Sequence, residues 1–260
     1  MLSKSKIKLI RSLEQKKERY QQGLFVIEGD KTVRETLASA LSVESVFAKS
    51  VWLGQIPNRL VKKAGEIFEI NDKELSQISF LKTPNQALAL VRIPHYSLNM
   101  EELSSSLFLY LDCVQDPGNV GTIIRLADWF GIRNLLLCEG NADPFNPKTI
   151  QSSMGSILRV KTHQVDETFF QQLKNHKPDF PVYGTFLNGE NLYNTELSTP
   201  ALIVMGNESK GISPNVEKHI TRRLFIPPYP STNQTSDSLN VAVAAAIVCA
   251  EFRRVLVVNG

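Results

Sequence analysis

Five short apolar runs, each separated from the next by a stretch of helical spacing, constrain the second part of this chain more than any other feature. They fall at 107–114, 134–138, 182–186, 201–205 and 224–227. A strand that is apolar throughout needs cover on both faces, and helices between successive strands supply both the cover and the crossover. The pattern therefore predicts an α/β fold with a mostly parallel sheet. In such sheets ligands bind at the loops leaving the carboxyl ends of the strands, so functional residues are expected there.

The first part reads as a smaller α/β unit. A basic amphipathic helix is expected over 3–21, ending at Gly23, with Ile7, Leu9, Ile10 and Leu13 as its apolar component. A strand at 25–27 leads to a helix from 30 to about 40 with Asp30 as its N-cap. Further strands are expected at 43–48, 66–70 and 86–92, and helical stretches at 58–64 and 72–78. A short polar stretch after Ile93-Pro94 places the domain division at 1–97 and 98–260.

Charge is unevenly shared between these parts. Residues 1–97 carry 16 Lys/Arg against 10 Asp/Glu, a net +6, whereas the remainder is at −3. Much of the excess lies in Lys4, Lys6, Lys8, Arg11, Lys16, Lys17 and Arg19. Such a cluster is either a solvated helical face or a phosphate-tracking arm, and charge alone does not choose. At 42% hydrophobic and net +3 the chain has ample apolar content to fold. Its longest apolar run, 241–250, is half of the about 20 residues needed to span a bilayer. The first twenty residues lack the apolar core of a secretory signal, so a cytoplasmic protein with no membrane partner is expected. Cys113, Cys138 and Cys249 are then read as reduced, buried thiols.

Three loops carry chemistry. The first, 112–119, leaves a strand and enters a helix running to Gly131; Val120, Ile123, Ile124, Ala127 and Phe130 form its buried face, and Gly121, Arg125 and Asp128 another. Asn119 is either a simple N-cap or a site residue, and Arg125 either a surface ion-pair partner or a cation aimed at the loop. The second, 205–213, reads Met-Gly-Asn-Glu-Ser-Lys-Gly-Ile-Ser. Its glycines permit a tight turn, and Glu208 is either held at the strand end or a cap for a helix starting near Ser213. The order is not that of a P-loop, and no Gly-x-Gly-x-x-Gly follows the first strand, which argues against a nucleotide-dependent oxidoreductase. The third, 226–240, enters the all-apolar helix 241–250, with Ser238 and Asn240 at the mouth, where free N–H groups favour polar or anionic atoms.

Taken in order, Asp-Pro-Gly-Asn-Val-Gly-Thr…Arg, Gly-Asn-Glu-Ser-x-Gly-Ile-Ser and Ile-Pro…Ser-Leu-Asn-Val-Ala-Val-Ala-Ala-Ala-Ile resemble the SpoU family of SPOUT methyltransferases. Asn146-Pro-Lys…Ser153-Met-Gly-Ser156 belongs to the same resemblance, which covers about 107–254. Residues 1–97, with Phe25-Val-Ile-Glu-Gly-Asp-Lys31, resemble the ribosomal-protein-like RNA-binding domain that precedes many such enzymes. The resemblance implies a trefoil knot, a homodimer, S-adenosylmethionine as cofactor and methyl transfer to a ribose 2′-hydroxyl of structured RNA. Carried over by motif, the catalytic set is Asn119, Arg125, Glu208, Ser238 and Asn240, with cofactor contacts near Thr185, Met205, Gly206, Ile226 and Leu239. The segment 228–237 departs from the pattern, being longer and carrying Pro where many relatives carry Gly.

A sulfonium donor has a good leaving group and requires no metal. His95, His163, His176 and His219 lack metal-ligand spacing, so no metal is expected. A guanidinium is very hard to deprotonate, which favours Arg125 as an anchor for an RNA phosphate and a stabiliser of the developing alkoxide over a literal base. The extra RNA-binding domain favours ribosomal RNA over tRNA. The rival is an RNA-binding or ribosome-assembly protein that keeps the fold without turnover. The homodimer is expected to bury the helix 239–254, whose apolar surface one sheet face cannot cover.

Overall fold

A computed structural model of the chain describes residues 2–103, 105–229 and 238–258. Its first elements are α1 (Lys4–Ser12), α2 (Lys16–Gln22), β1 (Leu24–Glu28), α3 (Asp30–Ala38), β2 (Val43–Ala48), α4 (Ser50–Gln55), α5 (Asn58–Val61), β3 (Ala64–Glu69), α6 (Asp72–Ile78) and β4 (Ala87–Arg92). There follow α7 (Met100–Leu103), β5 (Leu107–Leu111), α8 (Pro117–Trp129), β6 (Asn134–Leu137), α9 (Pro147–Ser153) and β7 (Lys161–Gln164). The last are α10 (Phe169–His176), β8 (Val182–Asn191), β9 (Ala201–Met205), α11 (Pro214–Glu217), β10 (Arg222–Phe225) and α12 (Val241–Val258). They form two compact units. One holds the residues up to His95 together with Asp143–Leu158, and the other holds Tyr96–Ala142 and the chain from Arg159 onward.

The first unit is a four-stranded sheet in the order β1-β4-β2-β3, with β2 and β3 parallel and the other pairs antiparallel. Ile10 and Leu13 are buried with Leu75 and Ile78 of α6 against Val26, Phe47, Leu88 and Leu90 of the sheet. The single helix expected over 3–21 is two helices. Between them the Arg19 guanidinium turns inward and donates to the carbonyls of Leu13 and Glu14, both at 2.7 Å. Its Nε donates to Asp143 Oδ2 at 2.8 Å, and that carboxylate also accepts from the Tyr20 hydroxyl and the Phe145 N–H. A buried guanidinium survives only when paired and hydrogen-bonded, and here all three of its nitrogens donate. At 1% exposure Arg19 cannot join a phosphate-tracking arm, and Lys6 is paired with Glu66 at 2.6 Å. Lys4, Lys8, Lys16 and Lys17 remain exposed. Asp30 is not the cap expected: Gly29 occupies that position, and the Asp30 carboxylate accepts from Arg34 and from the Trp52 indole.

The second unit is a six-stranded, all-parallel sheet in the order β10-β8-β9-β5-β6-β7. Every residue of β5 and β9 is buried, which fits a sheet covered on both faces. Successive side chains of a strand point to opposite faces. On one face Phe108, Tyr110, Leu202, Val204 and Val182 pack with Phe169, Phe170 and Leu173 of α10. On the other, Tyr183 meets Phe252 of α12 edge-to-face at 5.0 Å, and Arg253 of α12 donates to the Phe130 carbonyl after α8. The chain moves from β5 through β6 to β7 on one side, then crosses to β8 and β9 on the other. The strand order thus reverses beside β5, where open parallel sheets form a ligand crevice. Four expectations change: the strand expected over 107–114 stops at Leu111, β7 had no apolar run to announce it, β8 extends to Asn191, and β10 begins at Arg222.

Candidate active site

The first two loops are tied together at the carboxyl ends of β5 and β9. The Asp112 N–H donates to the Met205 carbonyl at 2.9 Å, and the Asp112 carboxylate accepts the Ser213 N–H at 2.6 Å. Asn207 donates to the Cys113 carbonyl at 2.7 Å, while its own Oδ1 accepts the N–H groups of Ser209 and Lys210. A Cβ at Gly206 would lie 2.4 Å from the Gly211 carbonyl carbon, so only glycine lets the second loop fold this closely over the strand end. Sequence reasoning singled out neither Asp112 nor Asn207 as organisers. An Asn inside a Gly-bounded turn was the available signal, since Asx side chains bond to backbone two and three residues on.

Asp116, not Asn119, caps α8: it accepts the Asn119 N–H at 2.9 Å, with Pro at the first helical position. The Asn119 side chain is thereby released to the site. Its Nδ2 donates to Glu208 Oε1 at 2.9 Å, and its Oδ1 accepts from Asn240 Nδ2 at 3.0 Å. The orientations are chemically forced. A carboxylate only accepts, so Asn119 must turn its amide nitrogen to Glu208 and its oxygen to Asn240. Asn240 must then give its own oxygen to the helix, where it accepts the N–H groups of Ala242 at 2.9 Å and Val243 at 3.3 Å and caps α12. Three loops far apart in sequence therefore meet in one polar chain, and Glu208 is not a cap for α11, which Ser213 begins.

Arg125 lies two turns into α8, exposed, without a hydrogen bond or ion pair to any other described residue. It is not the surface ion-pair partner allowed for above; Asp128 pairs instead with Arg159 at 2.8 Å. Trp129, four residues on along the same helix face, is 83% exposed. Ser238 is exposed two residues before Asn240.

Of the residues assigned to the cofactor, Thr185 and Met205 lie in β8 and β9, Gly206 and Ile226 directly follow β9 and β10, and Leu239 lies in the third loop. β8 pairs with β9 only through Gly184, then bulges, and pairs again with β10 at Glu190 and Asn191. Thr185 stands where β8 leaves β9, its hydroxyl 3.4 Å from the Val204 carbonyl and 3.9 Å from Met205 Sδ. Ile226 directly follows β10, and Leu239 is half exposed beside Asn240. Part of the third loop, 230–237, lies outside the described residues, so the shape expected for 228–237 is described only to Tyr229.

Residues 106–250 match the SpoU rRNA Methylase family, and residues 4–89 match the MRM3-like substrate binding domain. The 23S rRNA (guanosine(2553)-2′-O)-methyltransferase of Bacillus subtilis is 33% identical over 255 residues, covering 95% of this chain and 96% of the relative. A TrmH-family protein from Porphyromonas gingivalis superposes with a TM-score of 0.85 at 38% identity, covering 98% of this chain and 99% of that one. An rRNA methyltransferase from Sinorhizobium meliloti, solved with S-adenosylmethionine bound, superposes with a TM-score of 0.86 at 28% identity, covering 98% and 97%. On the family match, the full-length relatives and the shared all-parallel architecture, this chain belongs to the SpoU rRNA Methylase family.

Proposed function

We propose that the chain is an S-adenosylmethionine-dependent RNA 2′-O-ribose methyltransferase that acts on ribosomal RNA. The observation that carries this reading is the hydrogen-bonded chain Glu208–Asn119–Asn240, assembled from three loops at the carboxyl ends of the sheet. The residues assigned there fit the cofactor: Thr185, Met205, Ile226 and Leu239 offer a hydroxyl, a thioether and apolar surface, and the close fold at Gly206 brings the Gly211–Ile212 backbone onto the end of β9. S-adenosylmethionine supplies a methyl group on a sulfonium, so the protein's task is to place a ribose hydroxyl in line and stabilise the charge that develops on its oxygen. Asn119 fixes the Glu208 carboxylate, and Asn240 fixes Asn119. Arg125, uncommitted to described partners, holds an RNA phosphate and faces the developing alkoxide. Trp129 beside it presents a stacking surface suited to an unpaired base. Ser238 completes the set.

The division of labour follows the charge. Residues 1–97 supply attraction to RNA and residues 98–260 the methyl transfer, within a deep trefoil knot as the family resemblance implies. Val243 in the first turn of α12 and Leu239 two residues before the helix are each 49% exposed, whereas Val241, Ala242 and Ala245 are buried within the chain. That leaves one apolar side for a second copy, supporting a homodimer; its setting is the cytoplasm. Val243→Arg should yield folded monomers by equilibrium sedimentation, and a folded Val243→Arg dimer would reject this face. For the activity, the chain is incubated with methyl-labelled cofactor and large-subunit rRNA or tRNA, and 2′-O-methyl sites are mapped. Label in rRNA at one ribose is expected. Label only in tRNA would overturn the substrate, and cofactor binding without label in either RNA would favour the RNA-binding reading.

A further inference from the structure

Cys113 and Cys138, expected as separate buried thiols, are half-buried and stand together. Their sulfurs are 3.6 Å apart, and Cys138 Sγ is 3.6 Å from Asp112 Oδ1. The three ligand atoms lie within 4.8 Å of one another, with the Glu139 carbonyl 3.1 Å from Cys138 Sγ and 3.5 Å from Cys113 Sγ. We propose that Asp112, Cys113, Cys138 and the Glu139 carbonyl form a binding site for a thiophilic divalent cation of the Zn²⁺ class.

Three separations match a tetrahedral site, the two sulfurs at 3.6 Å, Cys138 Sγ to Asp112 Oδ1 at 3.6 Å and Cys113 Sγ to the Glu139 carbonyl at 3.5 Å, while Cys138 Sγ to that carbonyl, at 3.1 Å, is shorter. With metal–sulfur bonds of about 2.3 Å and metal–oxygen bonds of about 2.0 Å, tetrahedral angles place two sulfurs about 3.8 Å apart and a sulfur and an oxygen about 3.5 Å apart. A disulfide would instead require about 2.05 Å between the sulfurs, and it would use neither oxygen. Charge points the same way. Asp112 is 3% exposed, yet it has no cationic partner among the described residues, and a buried carboxylate without one is costly. Its Oδ2 is fixed by the Ser213 N–H, which leaves Oδ1 to the thiols. Cys138 Sγ accepts N–H bonds from Cys113 at 3.3 Å and Asn141 at 3.4 Å, the outer-shell donors that orient a metal-bound thiolate. Two backbone features close the cradle. Cys113 adopts φ +57°, a left-handed conformation that favours glycine, so holding a thiol there costs backbone energy. Gly140 approaches so closely that its Cβ would lie 3.1 Å from Cys113 Sγ. Because Asn207 also holds the Cys113 carbonyl, an ion here would brace the loop that carries Glu208.

The test is a titration of the reduced, tag-free full-length chain with Co²⁺, following the thiolate-to-cobalt charge-transfer band, then displacement by Zn²⁺. One equivalent should give the band, excess Zn²⁺ should abolish it, and Zn²⁺ should raise the thermal midpoint. Cys113→Gly suits the local backbone and should fold while losing the band; Cys138→Ser should also lose it. Cys249→Ala, which alters a thiol outside the cluster, should keep it. No band in the wild-type chain, or an undiminished band in Cys113→Gly, would overturn the assignment. So would a Cys113–Cys138 disulfide formed in place of metal binding, detected by mass spectrometry as a loss of two hydrogens.

Discussion

Asn240 has two jobs that can be separated by substitution. Its Oδ1 caps α12 through the N–H groups of Ala242 and Val243, and its Nδ2 orients Asn119 toward Glu208. Asn240→Asp keeps the first function, because aspartate caps as well as asparagine and its charge suits the helix N-terminus. It destroys the second. A carboxylate at 240 faces the Asn119 oxygen, and if Asn119 turns over to donate to it, that oxygen meets Glu208 instead. One pairing becomes repulsive either way. Asn240→Ala removes both functions. The cap alone is worth about 1 kcal/mol, or about 2–4 °C in thermal midpoint for a chain of this size. Losing one oriented hydrogen bond of about 1.4 kcal/mol in the transition state lowers the rate about tenfold. Asn240→Ala should therefore lose both midpoint and rate. Asn240→Asp should hold its midpoint within about 1 °C while losing at least about tenfold in rate. Thermal unfolding by circular dichroism and single-turnover methylation on the same preparations measure the two effects. An Asn240→Asp enzyme at wild-type rate, or one as unstable as Asn240→Ala, refutes the separation.

Arg125→Ala should reduce methylation about 10²–10³-fold, as for loss of one preorganised charge stabiliser, with cofactor affinity by calorimetry nearly unchanged; lost cofactor binding in a folded variant would place Arg125 elsewhere. Reversing Lys4, Lys8, Lys16 and Lys17 to Glu should flatten the salt dependence of RNA binding by about 0.7 in log–log slope for each phosphate that is no longer neutralised. An unchanged slope in a salt titration would make them a solvated face. Deleting 1–97 is a poorer probe, because it removes Arg19 from the buried Asp143 carboxylate. His163 is 4% exposed and hydrogen-bonds to Asn134 at 2.8 Å, and burial holds its pKa below 6.5. The unfolded chain thus gains a proton that the native state resists, so native stability is complete above pH 6.5 and falls as pH drops below it. His163→Gln should lessen the decline of thermal midpoint between about pH 6.5 and 5; an equal decline would contradict the assignment.

What the sequence determined by itself was whatever repeats over a few residues. The strand at 201–205, the strand at 43–48 and the helix at 72–78 coincide with β9, β2 and α6, because an apolar run or a helical period between polar punctuation records its own burial. β7, with residues Lys-Thr-His-Gln at the sheet edge and one neighbouring strand, has no such run and left no trace. The order of the three loop motifs was enough to name a family and a set of residues. It could not show which of them touch. Arg19 read as one more surface cation until its partner, 124 residues away, took it into the interior, where its guanidinium also bonds the carbonyls between α1 and α2. Asn119 read either as a cap or as a site residue until Asp116 took the cap and left its amide to Glu208 and Asn240, 89 and 121 residues distant. Cys113 and Cys138 became neighbours because β5 and β6 pair side by side. Hydrogen bonds and ion pairs between such remote positions impose no period on the chain, so only the strand order and the crossings of the tertiary structure decide them.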